Sequence, residues 1–133
     1  MRAWSIAMPF TSSYEPRRRW LLTIATGRIT LHDVRAHLLE RVRRKLGGPE
    51  LIDTTRAELA MGPSDLPQAV DVIREAADAQ SLGPTAILVV GGYGEAMSML
   101  LEALLAKTLD VRTFLRRDDA ERWLTVGPFE HAR

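Results

Sequence analysis

The segment from Thr85 to Gly94 reads Thr-Ala-Ile-Leu-Val-Val-Gly-Gly-Tyr-Gly, and it decides the fold class of the chain. A short apolar run that ends at glycines is typical of a buried strand. We therefore predict a strand over 85–90 that is apolar on both faces and lies at the centre of a sheet. The glycines predict a turn into a helix from Glu95 to about Thr108. A buried strand followed at once by a helix indicates an α/β fold.

Upstream of this segment, the sequence predicts an antiparallel hairpin. Residues 4–14 hold short apolar stretches interrupted by Pro9, which indicates an edge strand because an edge tolerates a missing N–H group. Residues 15–18, Glu-Pro-Arg-Arg, are typical of a turn. A second strand is predicted over 20–26 and is expected to end at Gly27. The two strands are therefore expected to pair with each other.

Helices and strands then alternate. Thr30 is predicted to cap the first helix, with Asp33 completing a capping box three residues later. The glycines and proline at 47–49 are expected to end that helix. Residues 50–55 are predicted to form a short third strand, and Ser64 is predicted to cap the second helix.

The chain beyond the glycine turn adds a strand and a helix. Residues 110–115 are predicted as the fifth strand. Asp118 or Asp119 is expected to cap a last helix that runs through Leu124. Residues 127–133 are expected to be a frayed tail.

These elements predict one α/β domain over residues 1–133, with 1–13 as an edge-strand region. The predicted element order is ββαβαβαβα. Strands that alternate with helices are connected by crossovers, which favour parallel pairing. The predicted architecture is therefore a mixed, largely parallel five-stranded sheet with four helices.

The composition excludes several classes of protein. The chain has 133 residues, 46% of them hydrophobic and 26% charged, which is typical of a globular domain rather than a disordered one. It contains no cysteine, so disulfide frameworks, thiolate zinc sites and cysteine nucleophiles are excluded. Its longest apolar run, residues 86–90, is far shorter than a transmembrane span. We therefore expect a soluble, cytoplasmic protein.

Neither nucleic acid nor a metal ion is an expected partner, and no cofactor is expected. Lys and Arg total 18 against 17 Asp and Glu, so the net charge is only +1. The basic clusters at 17–19 and 41–45 are interpreted as a hairpin turn and as the solvated end of a helix. His32 and His37 point about 140° apart on a helix, so they are not expected to share a metal.

The glycine-rich turn has two interpretations. Backbone N–H groups at such a turn can hold an anion, with Gly92, Tyr93 and Gly94 as the binding residues. However, Met97 stands where a dinucleotide fingerprint has its third glycine, and Glu95 would oppose a phosphate. The preferred interpretation is that the glycines permit a tight turn.

Asp53 and the start of the second helix are further candidate sites. Asp53 stands at a predicted strand end, where α/β proteins bind ligands, but it is preferentially assigned to holding the loop. Ser64, beside Asp65, is interpreted first as a cap and second as a phosphorylation acceptor. A catalytic site would need Asp53, Tyr93 and the glycine turn to converge around an anionic substrate.

The third predicted helix is apolar nearly all round, with only three polar interruptions between residues 96 and 107. A helix of this kind is either fully buried or carries an interface. Simple core burial and a second contact, with a protein partner or an apolar ligand, are both left open. Met97, Leu101 and Leu104 are the predicted interface residues.

Five short motifs spread over the chain complete the sequence evidence. They are Tyr-Glu-Pro-Arg-Arg-Arg at 14–19, Gly-x-Ile-Thr at 27–30, Leu-Ile-Asp at 51–53, Ala-Ile-Leu-Val-Val at 86–90 and Asp-Asp-Ala-Glu-Arg-Trp-Leu at 118–124. With the order of elements, they resemble the STAS-like superfamily. The resemblance is to its anti-sigma-factor-antagonist-like members that share features with CRAL-TRIO lipid-transfer domains.

The resemblance implies a non-catalytic regulatory module of bacterial type. Anti-sigma-factor antagonists are switched by phosphorylation of a serine in an Asp-Ser-Ser-Gly segment at the start of the second helix. The counterpart here, Gly-Pro-Ser-Asp-Leu at 62–66, matches only at Ser64. A CRAL-TRIO-like interpretation instead implies an apolar cleft with the third helix as one wall.

The sequence thus predicts a binding module rather than an enzyme. Its preferred function is to engage a protein partner, or a second copy in a homodimer, through the start of the second helix and the face of the third. The first alternative is a small apolar or lipid-like ligand in a cleft beside the third helix. The second is a small enzyme that acts on an anionic substrate near Asp53 and the turn at 91–94.

Overall fold

The computed structural model describes residues 9–126, whose element order is the predicted ββαβαβαβα. The strands are β1 (Phe10–Glu15), β2 (Trp20–Ile29), β3 (Gly48–Leu59), β4 (Leu82–Leu88) and β5 (Val111–Phe114). The helices are α1 (Leu31–Arg43), α2 (Leu66–Ala79), α3 (Tyr93–Leu105) and α4 (Arg117–Thr125). The start of the expected edge-strand region, residues 1–8, and the expected tail at 127–133 lie outside the described residues.

The strands form one mixed sheet in the order β1-β2-β3-β4-β5. β1 pairs antiparallel with β2, and the other three pairs are parallel. Each helix between parallel strands therefore moves the chain one strand across the sheet, always in the same direction. Because such crossovers are right-handed, α1, α2 and α3 are expected on one face of the sheet.

The packing shows this arrangement directly. On one face, side chains of α1, α2 and α3 share a buried cluster with β5, including Leu38, Ile73, Leu105 and Val111. On the opposite face, α4 packs Leu124 and its neighbours against strand residues that include Trp20, Leu51 and Ala86. We refer to these as the three-helix face and the α4 face.

Two strands are longer than predicted because they pair with each other along their whole length. β2 does not end at Gly27 but continues to Ile29, and β3 continues past Thr55 to Leu59. The added residues are hydrogen-bonded neighbours as far as Ile29 and Leu59. The register between the two strands shifts between Ile24 and Thr26, just before Gly27. Gly27 has a φ of 72°, a backbone conformation that glycine adopts without steric cost. Tertiary pairing thus overrides the local stop signal.

The centre of the sheet is β3, so the prediction that the strand of residues 85–90 lies there was wrong. β4 pairs with β3 on one side and β5 on the other. It is therefore an interior strand, which explains its apolar residues on both faces. The strand order follows from the sequence of crossovers and could not be derived from hydrophobicity alone.

The helix starts are partly as predicted. Thr30 and Asp33 form the expected capping box at α1. Ser64 is not a cap: a 3-10 turn at Pro63–Asp65 precedes α2, and Asp65 accepts a hydrogen bond from the N–H group of Gly62. At α4 neither predicted cap is used, because the helix begins at Arg117 and both aspartates lie in its first turn.

Close backbone approach at the start of β3 and β4 predicts a specific sensitivity. A Cβ atom added at Gly83 would lie 2.8 Å from backbone atoms of Gly48 and Pro49. We therefore expect Gly83→Ala to lower the free energy of unfolding by about 1–3 kcal/mol, as overpacking does. Urea unfolding followed by circular dichroism measures the change.

Gly94→Ala is the matched control, because a Cβ atom at Gly94 meets no atom within 4 Å. Its free energy of unfolding should stay within about 0.5 kcal/mol of wild type. Equal stabilities for the two variants would contradict the close approach of the two strands.

Candidate functional site

A cavity of about 400 Å³ lies on the three-helix face, between the sheet and the helices that cover it. Its volume is in the range of pockets that hold small molecules. The wall is mainly apolar and is built from both layers. The strands contribute Phe10, Ile29, Ile52, Ile87 and Val111, and Val89 follows the end of β4. The helices contribute Val34, Leu38, Leu66, Ile73, Met97, Leu101 and Leu105.

Small residues keep the cavity open. Ala57, Ala69, Gly91 and Gly94 all line it, and larger side chains at these positions would occupy its volume. Interiors of this kind are otherwise packed to the density of organic crystals. An apolar space of this size, left unfilled by the chain's own side chains, is the main candidate for a binding site.

A buried ionic cluster lines one end of the cavity. Glu50 is 2% exposed and pairs in register with Leu21 of β2 and Thr85 of β4. Arg41 Nη1 donates to Glu50 Oε1 at 3.0 Å, and His37 Nε2 lies 2.8 Å from Glu50 Oε2. Thr23 also donates to Oε2 at 2.6 Å, and Ser12 bonds Thr23 in turn. The cluster thus joins α1 to the first three strands.

Glu50 is ionised despite its burial. Burial is the largest single influence and acts to raise the pKa of Glu50. The electrostatic attraction of His37 and Arg41, together with hydrogen bonds from His37 and Thr23, outweighs it and lowers the pKa to about 2. The carboxylate is therefore an acceptor only, so His37 Nε2 carries the proton it donates.

Arg41 bonds three neighbouring residues. Besides Glu50, it donates to the backbone carbonyls of Leu46 and Gly48, at 2.9 and 3.2 Å. The side chain is 1% exposed. The interpretation of this arginine as part of a solvated helix end was wrong: its guanidinium fixes the connection between α1 and β3.

Three residues that follow the buried parts of β3 and β4, Glu58, Gly91 and Tyr93, also line the cavity and are exposed. Tyr93 donates its hydroxyl proton to the carbonyl of Met61, which ties the start of α3 to the connection between β3 and α2. Gly92 has a φ of 103°, so the tight turn requires glycine there. A Cβ atom at Gly91 would lie 3.7 Å from Glu95 Oε1, so a carboxylate already lies over the turn.

Asp53 does not face the cavity. Its Oδ1 accepts hydrogen bonds from the backbone and hydroxyl of Thr55, and its Oδ2 lies 3.8 Å from Arg117 of α4. Asp53 therefore lies on the α4 face, whereas its neighbour Thr54 and Tyr93 line the cavity on the other face. A catalytic site required Asp53 and Tyr93 to converge. They do not, because side chains alternate along β3 and that of Asp53 points to the other face of the sheet.

The three predicted interface residues of α3 differ in exposure. Met97 is 3% exposed and lines the cavity, which removes it from any outer interface. Leu101 is half-buried and also lines the cavity. Leu104 is 48% exposed and shares the outer surface with Met99 and Leu100. α3 thus presents one apolar side to the cavity and another to solvent.

The start of α2 contributes an exposed serine. Ser64 lies in the 3-10 turn before the helix and is exposed. Asp65 is engaged with the backbone of Gly62 at 2.9 Å. Leu66, the first residue of α2, is buried and lines the cavity. The helix start therefore joins an accessible turn to the cavity wall.

Sequence reasoning missed the ionic cluster. His37 and Arg41 are four residues apart and share a helix face with buried Leu38, which is the signal that could have identified them. The prediction of a strand over residues 50–55 gives Glu50 no role of its own. His37 Nδ1 makes no hydrogen bond to the described residues, and the Phe10 ring stacks on the imidazole at 4.9 Å.

Two kinds of feature are not found within residues 9–126. No helix there is long and apolar enough to cross a bilayer. No group of three or more His, Asp or Glu side chains in the same residues is placed to hold a metal ion. His32 is exposed, whereas His37 is buried against Glu50.

Comparison with solved structures identifies the fold. The chain is similar to an uncharacterised protein of the DUF3478 family from Shewanella loihica PV-4, which has a SpoIIAA-like fold. The two are 20% identical and superpose with a TM-score of 0.55, over 86% of this chain and 91% of that one. No family model matches the sequence, and no curated protein matches it. The structural similarity to the Shewanella protein confirms the predicted STAS-like fold.

The ionic cluster predicts how stability depends on pH. The pKa of Glu50 is about 2 in the folded protein against an ordinary 4.5, so the unfolded chain binds a proton first as the pH falls. The stabilisation is complete above pH 4.5 and is lost progressively toward pH 2. Urea unfolding between pH 3 and 7 measures this loss: the free energy of unfolding should fall as the pH drops below 4.5.

Glu50→Gln tests the assignment. The variant leaves Arg41 without a counter-charge, and breaking a buried pair costs about 3–5 kcal/mol of unfolding free energy. Its stability should also fall less steeply than wild type below pH 4.5. Parallel pH profiles for the two proteins would contradict the role of Glu50. Glu40→Gln, which removes an exposed pairing with Arg43 and Arg44, is the control and should cost under about 1 kcal/mol.

Proposed function

We propose that the chain is a non-catalytic binding domain that holds a small apolar ligand in the cavity beneath α3. The cavity of about 400 Å³ is the observation that carries this proposal. Its apolar wall supplies the hydrophobic contact that drives such binding, since burial of hydrocarbon is favourable in proportion to the area removed from water.

The position of the cavity also supports the proposal. It lies between two layers, with α3 as one wall, which is the arrangement that the resemblance to CRAL-TRIO-like domains implied. Leu101 and Met97 come from that helix. A catalytic role finds no comparable support, because Asp53 and Tyr93 lie on opposite faces of the sheet.

Filling the cavity should abolish binding. Leu101→Trp adds an indole to the wall, so we expect it to weaken binding of the neutral fluorescent probe N-phenyl-1-naphthylamine by at least about tenfold. Leu104→Trp introduces the same side chain on the outer surface of α3 and should leave the affinity unchanged. Fluorescence titration measures both affinities.

The far-ultraviolet circular dichroism of each variant establishes that it is folded. Equal probe affinities for the two folded variants would show that the probe does not occupy the cavity. Absence of probe binding to the wild-type protein would contradict the proposal itself.

A second candidate function is recognition of a protein partner by the outer surface of α3. Met99, Leu100 and Leu104 are about half exposed, and Leu100 and Leu104 are four residues apart on one face of the helix. Exposed apolar patches of this kind mark interaction sites. The exposed turn with Ser64 offers a hydroxyl for phosphorylation. A second copy of the chain is the partner tested first.

Native mass spectrometry tests this candidate. A dimer is expected for wild type at about 20 μM, in the micromolar range of transient association. Leu100→Glu places a charge in the apolar patch and should weaken dimerisation at least tenfold. Ala79→Glu, at the exposed end of α2, is the control and should leave the dimer intact. A wild-type protein that is monomeric at this concentration would contradict self-association.

A further inference from the structure

One face of α1 lines the cavity with both apolar and polar side chains. Val34, His37, Leu38 and Arg41 all belong to the cavity wall. They are three or four residues apart in sequence, which places them on one side of the helix. The imidazole of His37 is therefore part of the surface that a ligand in the cavity would meet.

The carboxylate that binds His37 lies on the cavity side of the sheet. Glu50, Ile52 and Thr54 line the cavity and alternate along β3, as side chains on one face of a strand do. Glu50 Oε2 lies 2.8 Å from His37 Nε2, and the two side chains are only 2% and 5% exposed. This bond fixes the ring and leaves its second nitrogen, Nδ1, for another partner.

Nδ1 of His37 is a buried polar atom without a hydrogen-bond partner within residues 9–126. The Phe10 ring stacks on the imidazole, with 4.9 Å between the ring centroids, and it has no polar atom to offer. Because Nε2 carries the proton that Glu50 accepts, Nδ1 of the neutral ring has a lone pair and is an acceptor. A buried acceptor without a donor is unfavourable, so a ligand that supplies the donor gains affinity.

Three hydroxyl groups of the cavity wall do not supply this donor. Thr54 donates to the carbonyl of Leu88 at 2.8 Å, and Thr85 donates to that of Gly83 at 3.2 Å. Tyr93 donates to a carbonyl of the connection between β3 and α2. Each of these protons is used within the protein. The donor that Nδ1 lacks is therefore one that a bound molecule can bring.

The charges beside His37 balance one another. Arg41 Nη1 bonds Glu50 Oε1 at 3.0 Å, so one positive and one negative group are paired. A neutral imidazole leaves this cluster without net charge, which suits a site among apolar side chains. Arg41 uses three of its five N–H groups, for Glu50, Leu46 and Gly48. A hydroxyl group matches these surroundings, because it is uncharged, donates one proton and accepts through its oxygen.

We infer that the ligand of this cavity is an alcohol, whose hydroxyl group donates a hydrogen bond to Nδ1 of His37. The inference rests on the proposed function and names the chemical class of the ligand. Its basis is the buried side-chain atom that lacks a partner within residues 9–126, on a side chain that lines the cavity. The hydrocarbon body of the alcohol contacts the apolar wall.

A displacement assay with two isomers tests the inference. N-phenyl-1-naphthylamine bound to the full chain is titrated with 1-octanol and with heptyl methyl ether, which has the same atoms but no hydroxyl proton to donate. The titrations are made at pH 8, where an ordinary imidazole is neutral. Octanol should displace the probe at a concentration at least about fivefold lower than the ether, which is the effect of one hydrogen bond.

A variant without the acceptor separates the role of His37 from other differences between the isomers. His37→Phe keeps an aromatic ring against Phe10 and removes both ring nitrogens. The preference for octanol should fall below about twofold in this variant. His32→Phe makes the same substitution at an exposed position of α1 outside the cavity wall, and it should keep the wild-type preference. Circular dichroism establishes that both variants are folded.

Nuclear magnetic resonance of the wild-type protein tests the same bond without a variant that has to fold. The chain is labelled with nitrogen-15 in its histidine rings. The Nδ1 resonance of His37 should move upfield when octanol is added, because a nitrogen lone pair that accepts a hydrogen bond becomes more shielded. The ether should leave it in place. His32, which is exposed, serves as the internal reference.

The outcomes are distinct. Equal affinities of wild type for the two isomers, or an Nδ1 resonance that octanol does not move, would overturn the inference and leave the proposed function standing. A preference for octanol that persists undiminished in the folded His37→Phe variant would also overturn it, because another group would then hold the hydroxyl. Failure of the probe and of both isomers to bind would overturn the proposed function as well.

Discussion

A carboxylate buried beside an apolar cavity has to be fully hydrogen-bonded, and the pairing of Glu50 sets much of the structure around it. The side chain receives hydrogen bonds from Thr23 of β2 and from His37 and Arg41 of α1. These contacts fix where α1 lies against the sheet. Because Arg41 also binds carbonyls of the α1–β3 connection, the entry into β3 is fixed by the same group.

The order of the strands determines where a ligand can bind. Successive crossovers in one direction place three helices on one face of the sheet, and α4 alone covers the other. The cavity lies beneath the three helices, where Ala57, Ala69 and the glycines of the α3 turn leave space. The α4 face, by contrast, is filled by Trp20, Leu51 and Leu124.

The two proposed functions use different residues of one helix. Met97 and Leu101 of α3 line the cavity, whereas Leu100 and Leu104 are exposed on the outer surface. A ligand beneath the helix and a protein above it would therefore make separate contacts. This arrangement explains why a helix in a small protein is apolar nearly all round, a pattern that burial alone would not require.

Local patterns in the sequence determined the order of the elements, the capping box of Thr30 and Asp33, and the apolar character of α3, because each depends on residues within a few positions. Tertiary structure alone decided the rest. The pairing of Arg41 with Glu50 joins different elements, and Asp53 and Tyr93 are separated by the direction in which β3 presents its side chains. Such relations depend on strand order and register, which are set by contacts between distant parts of the chain.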